Sequence, residues 1–335
     1  MKFTGFLFLV FLFTSCNKEL SDEFVSNNIP VADTVWRTVL GSTSADLSIT
    51  IPVDTAFTDK PAELDSFDAA LGDTLLFDND LQLFIPPYLC TGVGAGQGGG
   101  AVATGKIFIK LIQLTKRGDI VKYNRSTIDD EHKILEFARC FSIVFMQNNV
   151  ELGVVTGRAI GIGFKDSLPK STMKVYYGNT LAFNTVSNFN WRFSNDSSKL
   201  ITTPNIILPQ VQDSGYLLST HYAKWFGAMQ RVDTSVGTNR LNVLLPINFT
   251  NANTAVYAIF KNKRVASRLT PDAINKLYFI NNMPSNTPVK IITLSKVGAD
   301  YFYSATDVTA QLGTIVTATP AIATKAAIIG WLNDL

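Results

Sequence analysis

The chain has 335 residues, with 29 Lys and Arg against 27 Asp and Glu, 46% hydrophobic residues and only 17% charged ones. That is too apolar and too evenly charged for a disordered chain and too long for one small domain, so about two domains with real cores are expected. The charge is uneven: residues 1–169 hold 14 basic and 20 acidic side chains, residues 170–335 hold 15 and 7, and neither half is basic enough to indicate a nucleic-acid partner.

At the start, Lys2 precedes an apolar run over residues 5–13 (GFLFLVFLF). Such a run makes roughly 14 Å of helix, about half of a bilayer core, so it reads as the apolar region of a signal peptide over residues 1–15. Ser15 directly before Cys16 resembles the lipobox of bacterial lipoproteins, which implies that Cys16 is lipidated and leads the mature chain. A diacylglycerol with a further acyl chain would anchor it stably, where one chain holds only marginally. Residues 16–30, largely polar and ending at Pro30, read as a lipidated tether. The late apolar stretch 308–331 is broken by Gln311, Pro320 and Lys325 and does not read as a membrane span.

Period-two alternation and β-branched or aromatic runs then dominate. Lys106–Leu114, 139–146, 159–164, 173–177, 241–245, 255–260 and 289–294 all read as strands, separated by short segments rich in Gly, Pro and Asn. Long amphipathic helical windows are missing, which predicts an all-β chain of two sandwich-like, immunoglobulin-like domains. The polar, proline-containing residues 165–171 (KDSLPKS), where the charge balance also changes, are the expected boundary. An acidic domain over 31–167 and a basic one over 170–335 follow from it. One helix is expected over 320–335, capped by Thr319 and started by Pro320.

Few motifs carry chemistry. Residues 92–106 contain both G-x-G-x-x-G and G-x-x-x-x-G-K, but each needs a helix immediately afterwards to present N–H groups to phosphate, and here an alternating strand follows. The two histidines, His132 and His221, lack a G-x-S-x-G elbow or any obvious triad; a hydrolase centred on His221 is the weakest of three functional readings. The acids at 78–80 and 129–131 lack a calcium-loop frame, and Cys90, Cys140 and the histidines show no zinc spacing, so no metal or cofactor is expected. Cys90 and Cys140 could pair in an oxidising compartment or remain as buried thiols.

Aromatics are dense between residues 176 and 226. Tyr176, Tyr177, Trp191, Tyr222 and Trp225, near several Asn, could stack on sugar rings, although a sandwich core also consumes such residues. The basic cluster Lys261, Lys263, Arg264 and Arg268 reads as a solvated hairpin tip, with contact to an anionic glycan or lipid headgroup as the alternative.

The stretch Ile85, Pro86 and Pro87 before the glycine-rich loop, then TGKIFIKL at 104–111, GDI at 118–120 and Ser126 with Thr127, is similar to a domain of Bacteroidetes-type lipoproteins. MKVYYG at 173–178, Asn190 with Trp191, PINFTNANTAVYAIF at 246–260, Met283 with Pro284 and IITLSK at 291–296 extend that resemblance over most of the mature chain. It implies an envelope protein of tandem β-sandwich domains held to the outer membrane by lipid, on its periplasmic or extracellular face. Asp followed by Ser or Thr and an apolar residue also looks like the O-glycosylation sequon of such bacteria, at Thr34, Thr55, Thr74 and Ser167. The leading expectation is therefore a non-enzymatic cell-envelope lipoprotein that binds a surface or serves as subunit of an envelope complex. A glycan-binding lipoprotein of a nutrient-uptake system is the alternative.

Overall fold

The computed structural model describes residues 35–37, 53–92, 100–178, 189–193, 199–208 and 211–335, with 199–208 and 211–213 as backbone alone. Cys16, the signal stretch, the tether, Thr34 and glycines 94–99 lie outside the described residues.

The first strands are β1 (Glu63–Asp68), β2 (Asp73–Phe77), β3 (Leu81–Ile85) and β4 (Cys90–Gly92). β5 (Lys106–Leu114) leads into helix α1 (Arg117–Lys122), followed by β6 (Leu135–Gln147), β7 (Val150–Val154), β8 (Ile160–Lys165) and β9 (Lys174–Gly178). Then come β10 (Trp191–Phe193), β11 (Lys199–Leu208), β12 (Val211–Thr220) and β13 (Lys224–Arg231). The remainder is β14 (Thr238–Leu244), β15 (Thr254–Phe260), β16 (Ala266–Arg268), β17 (Thr270–Asp272) and β18 (Leu277–Pro284). β19 (Thr287–Val297), β20 (Asp300–Ala310), β21 (Ile315–Thr317), β22 (Ala321–Ala323) and helix α2 (Lys325–Asn333) close the chain. The chain is all-β, and every stretch whose alternation predicts a strand overlaps one of these.

Among the described residues four sheets form two sandwiches. The first sheet runs β1-β5-β6-β13-β9-β10, with β7 also on β6 and β4 on β7, and the second runs β11-β12-β8-β3-β2. Their facing sides share a core that includes Ile107, Ile109, Phe141, Ile162 and Phe164. The third sheet, β17-β18-β14-β21, packs on the fourth, β16-β15-β19-β20-β22, through Leu241, Tyr278, Val256 and Ile291. A third core joins the sandwiches: Phe137, Trp191 and Met229 of the first sheet meet Tyr257 and Leu294 of the fourth, together with Ile328 and Leu332 of α2.

Side-chain alternation explains this layering. In β5, Ile107, Ile109 and Leu111 face the first core, while the opposite face is solvent at Phe108 and Lys110 and becomes the joining core at Ile112 and Leu114. In β15, Ala255, Tyr257 and Ile259 face the joining core and Val256, Ala258 and Phe260 the second sandwich, so every residue of that strand is buried. In β6 the register against β13 slips beside Ala138: Leu135 and Phe137 point to the joining core before it, Phe141, Ile143 and Phe145 to the first core after it.

Two expected boundaries are corrected. Residues 165–171 are the turn from β8 to β9 and not a domain linker, because β12 pairs with β8, and β13 with β6, after that turn. The change of sandwich falls between β13 and β14, at about residues 232–237; proline and a change of charge mark an exposed turn equally well inside a domain and between domains. The C-terminal helix starts later than predicted. Residues 321–323 pair with β20, and Thr324 is the cap, its hydroxyl accepting from the Ala327 N–H at 3.2 Å. Upstream, Trp36 packs on Tyr278 with ring centroids 5.3 Å apart, and Asn251 exchanges two hydrogen bonds with the main chain of Arg37, which fastens this segment to the second sandwich.

Candidate functional site

The aromatic stretch divides between core and surface. Trp191 is fully buried, and its indole N–H donates to the Ser126 main-chain oxygen at 3.0 Å. Tyr176 is 4% exposed. Neither presents a ring face to a sugar, so both are corrected from ligand platforms to packing residues. The cause is tertiary: β10 bridges the 128–129 segment, with Trp191 N–H on the Ile128 oxygen, and this turns the indole into the joining core. Tyr177 is half-buried, its hydroxyl 2.7 Å from Thr220 Oγ1, and Tyr222 stands edge-on to it at 4.9 Å and is 53% exposed. Trp225 is half-buried, and one ring face is taken by Arg125, whose guanidinium lies 4.6 Å from the Trp225 centroid and 4.4 Å from that of Phe189. Burial pulls the Arg125 guanidinium down to about 10, and its Nε has no hydrogen-bond partner among the described residues.

A cleft of about 400 Å³ is lined by Asp130, Glu131, Lys174, Tyr176, Arg192, Phe193 and Arg231. The charges hold one another. Arg231 spans Asp129 at 2.7 Å and Glu131 at 2.9 Å, and Arg192 meets Asp130 at 3.0 Å. The nearly buried Asp129 carboxylate also accepts the N–H groups of Glu131 and Lys133, which sets the loop. The hydrogen bond to Glu131, then that to Asp129, raises the Arg231 guanidinium above its ordinary value, whereas burial raises the Tyr176 phenol. Phe193 lies under the Lys174 ammonium at 5.0 Å and 5.7 Å from Tyr176. The acids at 129–131 are thus committed to arginines, and no group of three His, Cys, Asp or Glu side chains suits a metal among the described residues.

A second cleft, about 480 Å³, opens where the sandwiches meet. Its walls come from the N-terminal turn of α1, the start of β6, the turn after β8 and residues 261–264, with Tyr216 also in its lining. Three members of the predicted basic cluster, Lys261, Lys263 and Arg264, line it; the fourth, Arg268, turns inward and pairs with Asp54 at 2.8 Å. Lys116, Arg117 and Lys170 complete its basic lining, from sequence positions too distant for the cluster to suggest them.

The remaining candidates are placed as follows. His221 is half-buried, with Nδ1 2.7 Å from the Arg158 main-chain oxygen, which can only accept, so that nitrogen carries the proton. Asp233 accepts from the Ser235 N–H and hydroxyl at 2.8 and 3.1 Å. The segment after Gly105 is a strand, so the two glycine motifs lack the helix their phosphate chemistry needs. Cys90 faces the first core and Cys140 the joining core, on opposite sides of the first sheet, and both are free thiols. Burial pushes Cys90 up to about 12 and Cys140 well above the usual thiol value. Thr55, Thr74 and Ser167 are all exposed. No helix among the described residues is long and apolar enough to cross a membrane.

No protein-family model matches the chain, and no curated protein matches it.

Proposed function

We propose that this chain is a lipid-anchored protein of the cell envelope that binds a surface component or a partner of an envelope complex and catalyses no reaction. The observation that carries the binding role is the make-up of the two clefts: ion-paired, basic and aromatic side chains dominate their walls, and His132, His221, Cys90 and Cys140 lie outside them. The apolar run at 5–13, followed by Ser15 and Cys16, supports export and lipidation, with the outer membrane as the proposed site on the strength of the family resemblance. The exposed Thr55, Thr74 and Ser167 suit glycan attachment. In membrane fractions of expressing cells, Cys16→Ala is expected to move the chain to the soluble fraction and to abolish incorporation of labelled fatty acid. A variant that stays membrane-bound removes the anchor from this reading.

Glycan binding is the second reading, and Tyr222 favours it. This ring stands exposed against Tyr177, which Thr220 holds in place, so an oriented aromatic face is available at the surface. Glycan-array binding that drops for Tyr222→Ala and Trp225→Ala supports it; binding unchanged in both variants eliminates these platforms.

A further inference from the structure

We propose that the cleft between the sandwiches is a binding site for a compact phosphate-bearing anion, gripped by Lys116, Arg117 and Lys263. Among the described residues six cations line it: Lys116, Arg117, Lys170, Lys261, Lys263 and Arg264. Three are already matched, Lys170 by Glu136 at 2.6 Å, Arg264 by Asp166 at 2.9 Å and Lys261 by Asp307 at 2.9 Å. The other three face no carboxylate side chain within ion-pair distance among the described residues. Lys116 donates to the Asn333 main-chain oxygen at 3.0 Å, and Arg117 to main-chain oxygens of Phe260, Lys261 and Leu335. Lys263 makes no ion pair among the described residues, and its charge reaches Asp233 only through space. Burial pulls the Arg117 guanidinium below its ordinary value. Even with Asp307 and a carboxylate at Leu335 counted beside Glu136 and Asp166, two positive charges remain over the four acids.

Such an excess selects a ligand with two or more negative charges, and a mixture of a guanidinium fork and ammonium groups is the usual grip on phosphate oxygens. The volume, about 480 Å³, admits a body of sugar-phosphate size and excludes a folded partner. The Arg117 guanidinium is held by the main-chain oxygens of Phe260, Lys261 and Leu335, and that of Arg264 by Asp166 and the Ala138 oxygen, so both forks are in place before a ligand arrives. The phosphate has two possible sources, a soluble phosphate ester or a lipid headgroup at the surface the anchor would hold nearby.

The test uses the full chain carrying Cys16→Ala, so that anchoring plays no part, titrated calorimetrically with pyrophosphate and glucose 6-phosphate, with glucose as neutral control. Vesicles of phosphatidylglycerol are compared with phosphatidylcholine. At least one phosphate probe is expected to bind, more weakly as salt rises, with glucose silent. Lys116→Gln with Lys263→Gln is expected to weaken binding at least tenfold while leaving the circular-dichroism melting curve in place. Loss of soluble-phosphate binding in the variant identifies a soluble ligand, and loss of vesicle binding identifies a headgroup. Affinity unchanged by the double substitution, or no binding by any phosphate probe, overturns the site. Because Cys16 is replaced throughout, either result stands apart from the outcome of the membrane-fractionation test.

Discussion

Arg264 reaches across the seam between the sandwiches to Asp166: its Nη1 lies 2.9 Å from Asp166 Oδ2 and also donates to the Ala138 main-chain oxygen at 3.1 Å. The carboxylate is nearly buried, whereas the arginine is about half exposed. Removing the arginine leaves a desolvated charge without its cation, a worse outcome than loss of an exposed pair. Arg264→Ala is therefore expected to cost about 1–3 kcal/mol in urea denaturation. The cycle with Asp166→Asn should give a coupling of about 0.5–3 kcal/mol. Additive single and double variants would show that the seam does not depend on this pair.

Two glycines in or beside the helices should respond in opposite directions. Gly118 of α1 passes so close to α2 that a Cβ there would overlap the main-chain oxygen of Leu332. Gly330 of α2 is exposed with nothing near its missing Cβ. Gly118→Ala must push the helices apart and open the joining core at Leu332, costing about 1–3 kcal/mol. Gly330→Ala relieves a helix-interior glycine and should stabilise by about 0.5–1 kcal/mol. Thermal melts of the two variants shifting in the same direction would contradict the α1 to α2 contact.

Local pattern reveals strands here and stops short of their assembly. The alternation in KIFIKLIQL fixes which side of β5 is buried, because a strand shows opposite faces at successive residues. The same pattern says nothing of whether the other face meets water or a second sandwich, and β5 meets both. Trp191 illustrates the limit at the site: a tryptophan beside asparagines suits a sugar platform and a core equally, and only the bridge to Ile128 and Asp129 decides for the core. The basic cleft was half legible, through Lys261, Lys263 and Arg264. Lys116 and Lys170 reach it from α1 and from the turn after β8, and no local spacing records that convergence. The sandwich boundary is not legible from composition, which changes at an exposed turn while hydrogen-bond ladders return to the same sheets beyond it.

Trp191 and Tyr222 should separate folding from binding. Trp191 is sealed, with its indole N–H on Ser126, so Trp191→Ala leaves a cavity and an unpaired carbonyl and is expected to cost about 3–5 kcal/mol. Trp191→Phe keeps part of the volume and should cost less, about 1–3 kcal/mol, mainly through the lost hydrogen bond and altered packing. Tyr222→Ala removes an exposed ring and should move stability by less than about 0.5 kcal/mol. Equal melting shifts for Trp191→Ala and Tyr222→Ala would sink the division of these aromatics into core and surface.

The buried thiols impose an alkaline limit on stability. Cys90 is neutral in the folded chain up to about pH 12, while an unfolded cysteine releases its proton near pH 9. Between those values the unfolded state binds fewer protons than the folded one, so stability falls as pH rises through about 9, with a slope of about 0.7 kcal/mol per pH unit at pH 9 for one thiol that approaches about 1.4 well above it. Cys140, buried in the joining core, acts in the same direction. Urea denaturation at pH 8, 9 and 9.5 under reducing conditions should show this decline, and Cys90→Ala should make it shallower whatever cavity it leaves. The choice of range matters, because the buried phenols of Tyr257 and Tyr278 join the same trend only above about pH 10. A thiol reagent should label neither cysteine in the native chain and both on unfolding. Rapid native labelling of Cys90, or an identical pH slope in the Ala variant, would place that thiol outside the first core.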